Sequence, residues 1–351
     1  MKKVYIADIK STNNKGKSEG HYFAVAQNYA DVLSSDACVY VAGGPVYRER
    51  FKNHFSLPFD SKSSNSKLIN KINTFLNAVF LLKMVRSRDS VVVFQCSAVS
   101  TVCMALALVK PRCDVFLIQY DTYMRNSRLK SILFDFVSKR INGIVCPGRE
   151  IGEAMGVKYC ISPDYVYCEN SVSIEVAELK YDFGMYGILA EGKGIFEVAE
   201  ILANTKCKVK IAGKVGSLPE DQAMLSKLQT LCEHAHNIEL ENGYLSDEKF
   251  DSYIRSTKYI ILNYNDSYAL RSSGIILDSI YRNTPVIVRN RKYAEFVHAE
   301  NIGLVYDNFA DVDIDLLLDP KTRFQYVNNI KKFLDNQDKR RKNLIYFILG
   351  R

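Results

Sequence analysis

Between Asn263 and Val288 the chain reads NYNDSYALRSSGIILDSIYRNTPVIV, and these residues are well suited to gripping an anion. The small trio Ser272-Ser273-Gly274 stands where an apolar helical segment begins. The first turn of a helix offers unpaired backbone N–H groups and the positive end of the helix dipole, so it attracts negative charge. Arg271 immediately precedes the trio, and Asp278 follows Gly274 at i+4, on the same helix face. Helical side chains lean toward the N-terminus, which aims the Asp278 carboxylate back at the anion site. A nucleoside diphosphate matches that chemistry: amides and Arg271 for the phosphates, Asp278 for the ribose hydroxyls. The same residues also suit a capped helix with one stray acid, and the stretch alone does not separate the two.

The elements around these residues form a βαβ unit. Tyr259 to Leu262 is an apolar strand, Gly274 to about Arg282 a helix, and Val286 to Val288 a second strand opened by Pro285. Three other strand ends bring matching residues. Gly187 to Gly194 is a glycine-bearing turn with Lys193 at a helix start, where glycine lets backbone approach a phosphate and lysine adds charge. It is neither a Walker A loop nor a GxGxxG fingerprint. Gly213-Lys214 ends the next strand, and Gly243-Tyr244-Leu245 offers a backbone turn with an aromatic suited to a base. Each alone would be a solvated turn, although Lys193 mildly opposes the dipole of the helix it precedes. Together they converge, because ligands bind at the carboxyl ends of parallel strands.

Further back, the chain alternates strands and helices twice over. The first series begins with strand Val4 to Ile9 and helix His21 to Leu33, and it ends with strand Ile144 to Cys146. The pattern breaks near Cys168, and a fresh series opens at Phe183. Such alternation predicts parallel, doubly wound sheets with a ligand cleft between two α/β halves. The expected division is residues 1–168, residues 169–320, and a basic helical tail over residues 321–351 that returns to the first half. Its 351 residues suit two domains, and no apolar run reaches the length of a membrane span. The Met-Lys-Lys start runs straight into a strand, which argues against a signal peptide. Nine cysteines without close pairs read as reduced residues of a cytosolic protein. The net charge of +8 fits an anionic partner without choosing among nucleotide, lipid headgroup and nucleic acid. No nucleic-acid-binding module is readable.

Other candidates are weaker. His21 and Asp121 follow strand-end loops of the first half and suit acceptor contact or base chemistry, though such residues are more often solvated. Lys67 to Arg88 reads as a basic amphipathic helix with Leu68, Ile72, Phe75, Leu76, Val79 and Leu82 on one side. Such a helix can lie on an anionic membrane, but the commoner case is a stripe buried on a sheet. Asp311, Asp313 and Asp315 alternate with apolar residues, which suits an acidic helix start better than a metal site. No Ser/His/Asp triad, CxxC or zinc spacing is present.

With these residues in view, the second half resembles the donor domain of GT-B glycosyltransferases, and among them family 4, the group 1 glycosyltransferases. The family runs strand, Gly-x5-Lys-Gly turn, Gly-bearing strand end, glycine base turn, then a Glu-x7-Glu segment before Gly-x-Pro-Val-Ile. The parallels are Gly187 to Gly194, Ala212-Gly213-Lys214, Gly243-Tyr244, and the opening stretch running into Thr284-Pro285-Val286-Ile287. They cover about residues 183–307. In the first half only Gly20-His21 and Gln119-Tyr120-Asp121 are similar, with Asn170 after the linker. The resemblance implies two Rossmann-like domains with parallel sheets facing across a cleft. It gives Asp278 the role of the ribose-binding acid and Lys193 that of the diphosphate lysine. Leu270 departs from the first acid, Ile188 from a second basic residue, and Tyr120 from a frequent histidine.

Arg271 beside Leu270 is therefore expected to supply the charge that Ile188 does not. The implied activity is transfer of a sugar from a nucleotide-diphosphate sugar, UDP- or GDP-linked, to a glycan or lipid-linked oligosaccharide of a surface polysaccharide. No metal, cofactor or nucleic acid enters. The setting is cytoplasmic, with peripheral contact at the inner membrane face. The alternatives are an inert GT-B subunit that binds a partner or glycan, and a GT-B sugar-nucleotide epimerase.

Overall fold

A computed structural model describes residues 1–13, 21–95, 99–162, 178–266, 273–291 and 294–350, leaving the side chains of His21 and Asp247 outside the description. The chain divides into two compact units. One takes Met1–Cys168 with Gln337–Arg351, the other Glu169–Asn336.

The first unit is built on seven parallel strands. These are β1 (Lys2–Ala7), β2 (Ala37–Gly43), β3 (His54–Ser56), β4 (Ser90–Phe94), β5 (Asp114–Ile118), β6 (Gly143–Cys146) and β7 (Tyr159–Ile161), in the order β3-β2-β1-β4-β5-β6-β7. The central strands are near-continuous apolar runs because both faces are covered; β4 and β6 are buried at every residue. On one face lie α2 (Lys67–Met84), α3 (Val99–Leu108) and α4 (Arg128–Ser138), whose Leu81, Leu106 and Phe134 share a core with Val92 and Leu117. On the other lies α1 (His21–Leu33), which buries Val25, Tyr29 and Leu33. The short α5 (Arg149–Met155) links β6 to β7.

Two expectations change here. The helix starting at Lys67 ends at Met84, not Arg88, because Val85 turns extended and drops its side chain into the core. Its apolar stripe also splits: Phe75, Val79 and Leu82 pack on the sheet, while Leu68 and Ile72 are left exposed.

The second unit has six parallel strands: β8 (Tyr181–Tyr186), β9 (Val209–Gly213), β10 (Ile238–Asn242), β11 (Thr257–Leu262), β12 (Val286–Arg289) and β13 (Gly303–Tyr306). Their order is β10-β9-β8-β11-β12-β13, so the direction of winding reverses between β8 and β11. Loops crowning those two strands flank the switch point where α/β sheets take ligands. Around the sheet run α6 (Ile195–Ala203), α7 (Pro219–His234), α8 (Asp247–Arg255), α9 (Gly274–Ile280), α10 (Glu295–Ala299), α11 (Ile314–Leu318) and α12 (Pro320–Asp335).

The tail expected as one segment is two helices. α12 stays with the second unit, where Tyr326 packs on its core. α13 (Gln337–Leu349) belongs to the first unit, where Leu344, Ile348 and Leu349 join the core beneath α1 and Phe347 meets Phe116 at 5.4 Å. Among the described residues no helix is long and apolar enough to cross a membrane.

Candidate functional site

The loops at the carboxyl ends of β8, β9 and β10 are hydrogen-bonded into one platform. Gly187 N donates to Ala212 O at 3.1 Å, Leu189 N to Lys214 O at 2.9 Å, and Gly243 N to Gly213 O at 3.0 Å. Gly213 is required by this closeness: at φ +154° a Cβ there would lie 1.6 Å from Gly187 O. Gly194 adopts a left-handed φ of +59°, and a Cβ would meet Asn263 O at 2.5 Å. These are the conditions that select glycine over any side chain.

Two buried side chains fix the turn that carries Lys193. Asn263, the first residue past β11, donates from Nδ2 to Gly194 O and to Glu197 Oε2, both at 3.0 Å. Its Oδ1 accepts from the Tyr306 hydroxyl at 2.9 Å. Asp221, in the first turn of α7, accepts from Glu191 N at 2.9 Å and from Leu218 N at 3.1 Å. The turn is thereby tied to β11 on one side and to α7 on the other.

Lys193 itself is half-buried, and among the described residues no carboxylate pairs with it. Loss of hydration pushes its ammonium down to about 8 from the usual 10.5. The Tyr264 ring centroid lies 5.5 Å from its Nζ. The Tyr264 hydroxyl is 3.1 Å from Ser273 Oγ, and a Cβ on Gly187 would lie 3.0 Å from Ile275 Cδ1 and 3.8 Å from Lys193 Nζ. The ends of β8 and β11 and the start of α9 therefore meet around one ammonium. A desolvated cation with no carboxylate beside it among the described residues favours capture of an anion, which would restore the ammonium to its ordinary range. The gap lined by Tyr186, Lys193, Tyr264 and Ile275 measures about 10 Å³, roughly room for one water.

The remaining expected residues fall at different distances from this centre. Ser273 stands buried at the N-cap position of α9 without a side-chain cap bond, and Gly274 is the first residue of the helix. Lys214 is exposed. Gly243 is open and Leu245 half-buried, while Tyr244 stands 80% exposed. Asp278 is half-buried; its Oδ1 is 3.5 Å from Arg282 Nη1, and the Nε of that arginine bonds Asp251 at 2.7 Å. Leu270, Arg271 and Ser272 lie outside the described residues, as does Asn170. In the first unit His21 opens α1. Asp121 is exposed and accepts from Tyr123 N at 2.9 Å, a turn-stabilising bond. Asp313 caps α11 by accepting from Leu316 N at 2.9 Å, so the alternating acids do begin a helix.

Asn263, Tyr264 and Asp221 were not expected as site residues. The signal for the first pair is positional: they are the residues following the apolar run of β11, at the switch point.

No protein-family model and no curated protein matches the sequence. Solved structures do match over almost the whole chain. A trehalose-6-phosphate synthase is 10% identical at a TM-score of 0.66, covering 99% of this chain and 97% of its own. HepE from Anabaena, in complex with UDP and glucose, gives 11% and 0.68, with 98% of each chain covered. A sucrose-phosphate synthase from Thermosynechococcus elongatus gives 11% and 0.67, covering 98% of this chain and 97% of its own. At these identities the likeness is one of fold: the chain has the GT-B architecture of two Rossmann-like domains.

Proposed function

We propose that the second unit binds the diphosphate of a nucleotide sugar and that the protein transfers the sugar to a glycan or lipid-linked acceptor. The observation that carries this reading is Lys193, a desolvated ammonium at the switch point with no carboxylate pairing with it among the described residues. Its chemistry fits a departing diphosphate. As the bond from the anomeric carbon to the phosphate oxygen breaks, the electron pair stays on that oxygen, and a fixed cation stabilises the charge. Arg271 and the amides of Ser272, Ser273 and Gly274 would add donors, with Asp278 on the ribose and Tyr244 beneath the base. Reaction without a metal ion, in the cytoplasm and in surface polysaccharide synthesis, completes the reading. UDP is the first nucleotide to test, since HepE was solved with UDP and glucose.

A second reading, an inert GT-B subunit, draws on Ile188. That residue is 61% exposed where the resembling family often has a base. A thermal-shift screen with UDP, GDP, ADP and CMP separates the two. Stabilisation by one nucleotide, lost in Lys193→Met, supports donor binding; no shift with any nucleotide favours the inert subunit. Transfer or hydrolysis across a panel of sugar nucleotides then tests the chemistry, with Asp278→Ala as the site control.

A further inference from the structure

We infer that Arg289 and Arg291, at the carboxyl end of β12, form a second anion site that takes a phosphate or carboxylate group. Arg289 is the last residue of β12 and stands in register with Tyr306 of β13. It is half-buried, its Nε is cut off from solvent, and among the described residues no hydrogen bond or ion pair reaches its guanidinium. A guanidinium carries five N–H donors and does not give up its proton, so it cannot relieve burial by becoming neutral. Burying such a charge without a partner is costly. An arginine that merely covers apolar surface buries its methylenes and keeps the whole fork in water. Arg291 repeats the pattern two residues on, with its own Nε buried and unpartnered. Its Nη1 donates to Asn290 O at 2.8 Å, and its Nη2 meets Asp266 at 2.7 Å. The Asp266 side chain is 90% exposed, and a pair so open to water is easily exchanged for a better anion.

The acids of the neighbourhood are committed elsewhere. Asp307 accepts from Asn290 Nδ2 at 2.9 Å, Glu197 accepts from Asn263 Nδ2 at 3.0 Å, and Asp266 is held by Arg291. The same network sets the two arginines beside the Lys193 turn. Asn263 accepts from the hydroxyl of Tyr306, the register partner of Arg289, and donates to Gly194 O next to Lys193. Asn265 N donates to Gly192 O at 3.0 Å, and the next residue, Asp266, bonds Arg291. Two hydrogen-bonded bridges therefore join the arginines to the turn across the end of β11. The planar fork of an arginine grips two oxygens of a carboxylate or phosphate at once, whereas an ammonium acts as a point charge. The group bound here has two possible carriers: the sugar of a donor held at Lys193, as in a hexuronate, or a separate phosphate-bearing ligand. The first rests on the proposed donor reading and the second does not.

Calorimetry and thermal shift on the full chain test it, with UDP, UDP-glucose, UDP-glucuronate and inorganic phosphate as probes. If the donor carries the group, wild type is expected to bind UDP-glucuronate about tenfold or more tighter than UDP-glucose, and Arg289→Gln to bind the two equally. If a separate ligand carries it, phosphate raises the melting temperature even of Lys193→Met, where the first cation is missing, but not of Arg289→Gln. Without any anion Arg289→Gln is expected to melt no lower than wild type, since it sheds an uncompensated charge. Arg289→Lys keeps the charge, loses the fork and should retain only part of the binding; it carries the test if Arg289→Gln fails to fold. The inference is overturned if the wild type neither favours UDP-glucuronate nor responds to phosphate, or if both Arg289 variants bind every probe as the wild type does. Either result together with Lys193-dependent UDP binding leaves the donor reading standing. Arg289-dependent phosphate binding without any UDP binding supports the inference and removes that reading instead.

Discussion

The ammonium of Lys193 stands 5.5 Å from the centre of the Tyr264 ring, at the sheet position where the winding direction reverses. Loss of hydration holds that ammonium down at about 8. A diphosphate beside it favours the charged form, so binding and protonation are linked. Affinity for UDP is expected to be full below pH 8 and to fall by up to about tenfold per pH unit above it. Calorimetry at pH 7 and pH 9 checks this. The Lys193→Met variant should bind at least about tenfold more weakly at pH 7 and lose the pH dependence. A flat profile in the wild type would remove Lys193 from the anion site.

The same shift has a stability sign. A lysine whose folded value lies below its unfolded 10.5 costs the fold while charged. Between about 8 and 10.5 the unfolded chain holds the extra proton, so this group's contribution makes stability rise with pH. Chemical denaturation of wild type and Lys193→Met at pH 7.5 and 9.5 isolates it: the gap between the two proteins should narrow at the higher pH.

Gly213 and Gly243 end neighbouring strands, yet their substitution should differ sharply. A Cβ at Gly213 would sit 1.6 Å from Gly187 O, so Gly213→Ala must pull the β8 and β9 loops apart. The expected cost is about 1–3 kcal/mol or more, with loss of nucleotide binding. At Gly243 nothing lies within 4 Å, and Gly243→Ala should stay within about 0.5 kcal/mol. Equal melting temperatures for the two variants would refute the platform.

Asn263→Ala removes the donor to Gly194 O and the acceptor for the Tyr306 hydroxyl, both buried. Losing such buried hydrogen bonds costs about 1–3 kcal/mol. Because the Lys193 turn hangs on that side chain, UDP affinity should fall as well, which a core truncation remote from the site would not cause. Unchanged affinity in a destabilised variant would show that the turn holds its shape without Asn263.

Gln95, just past β4, is 2% exposed, and neither heteroatom of its amide has a hydrogen-bond partner among the described residues. Replacing an unsatisfied buried amide with an apolar group of similar size removes a desolvation cost. Gln95→Leu is therefore expected to stabilise the protein by about 1 kcal/mol, raising its melting temperature. A destabilised variant would mean that the amide is satisfied in solution.

The architecture was legible because buried parallel strands are written as short apolar runs between helical segments. Helix His21–Leu33 matches expectation to the residue. The elements that escaped are short, such as β3, β7 and α10, where three to five residues are too few to set up a period. In the site, Gly187, Lys193, Gly194 and Gly213 could be found from local turn chemistry. Asp221 could not, because it acts on a loop thirty residues away and leaves no local pattern, and Asn263 was marked only by its place after the apolar run of β11. The split stripe of α2 was hidden for a related reason: periodicity places apolar residues on a face but does not say where the sheet beneath it ends.

The position of α13 bears on the order in which the molecule can be made. The strands of the first unit leave the ribosome first, but Leu344, Ile348 and Leu349, which complete one of its two cores, are synthesised only after the whole second unit. The second unit can close as soon as α12 emerges, whereas the first must wait with the apolar flank beside α1 and Phe116 unfilled. A nascent chain halted before Gln337 would thus carry its older unit as the less finished one, open to chaperones and proteases until α13 arrives.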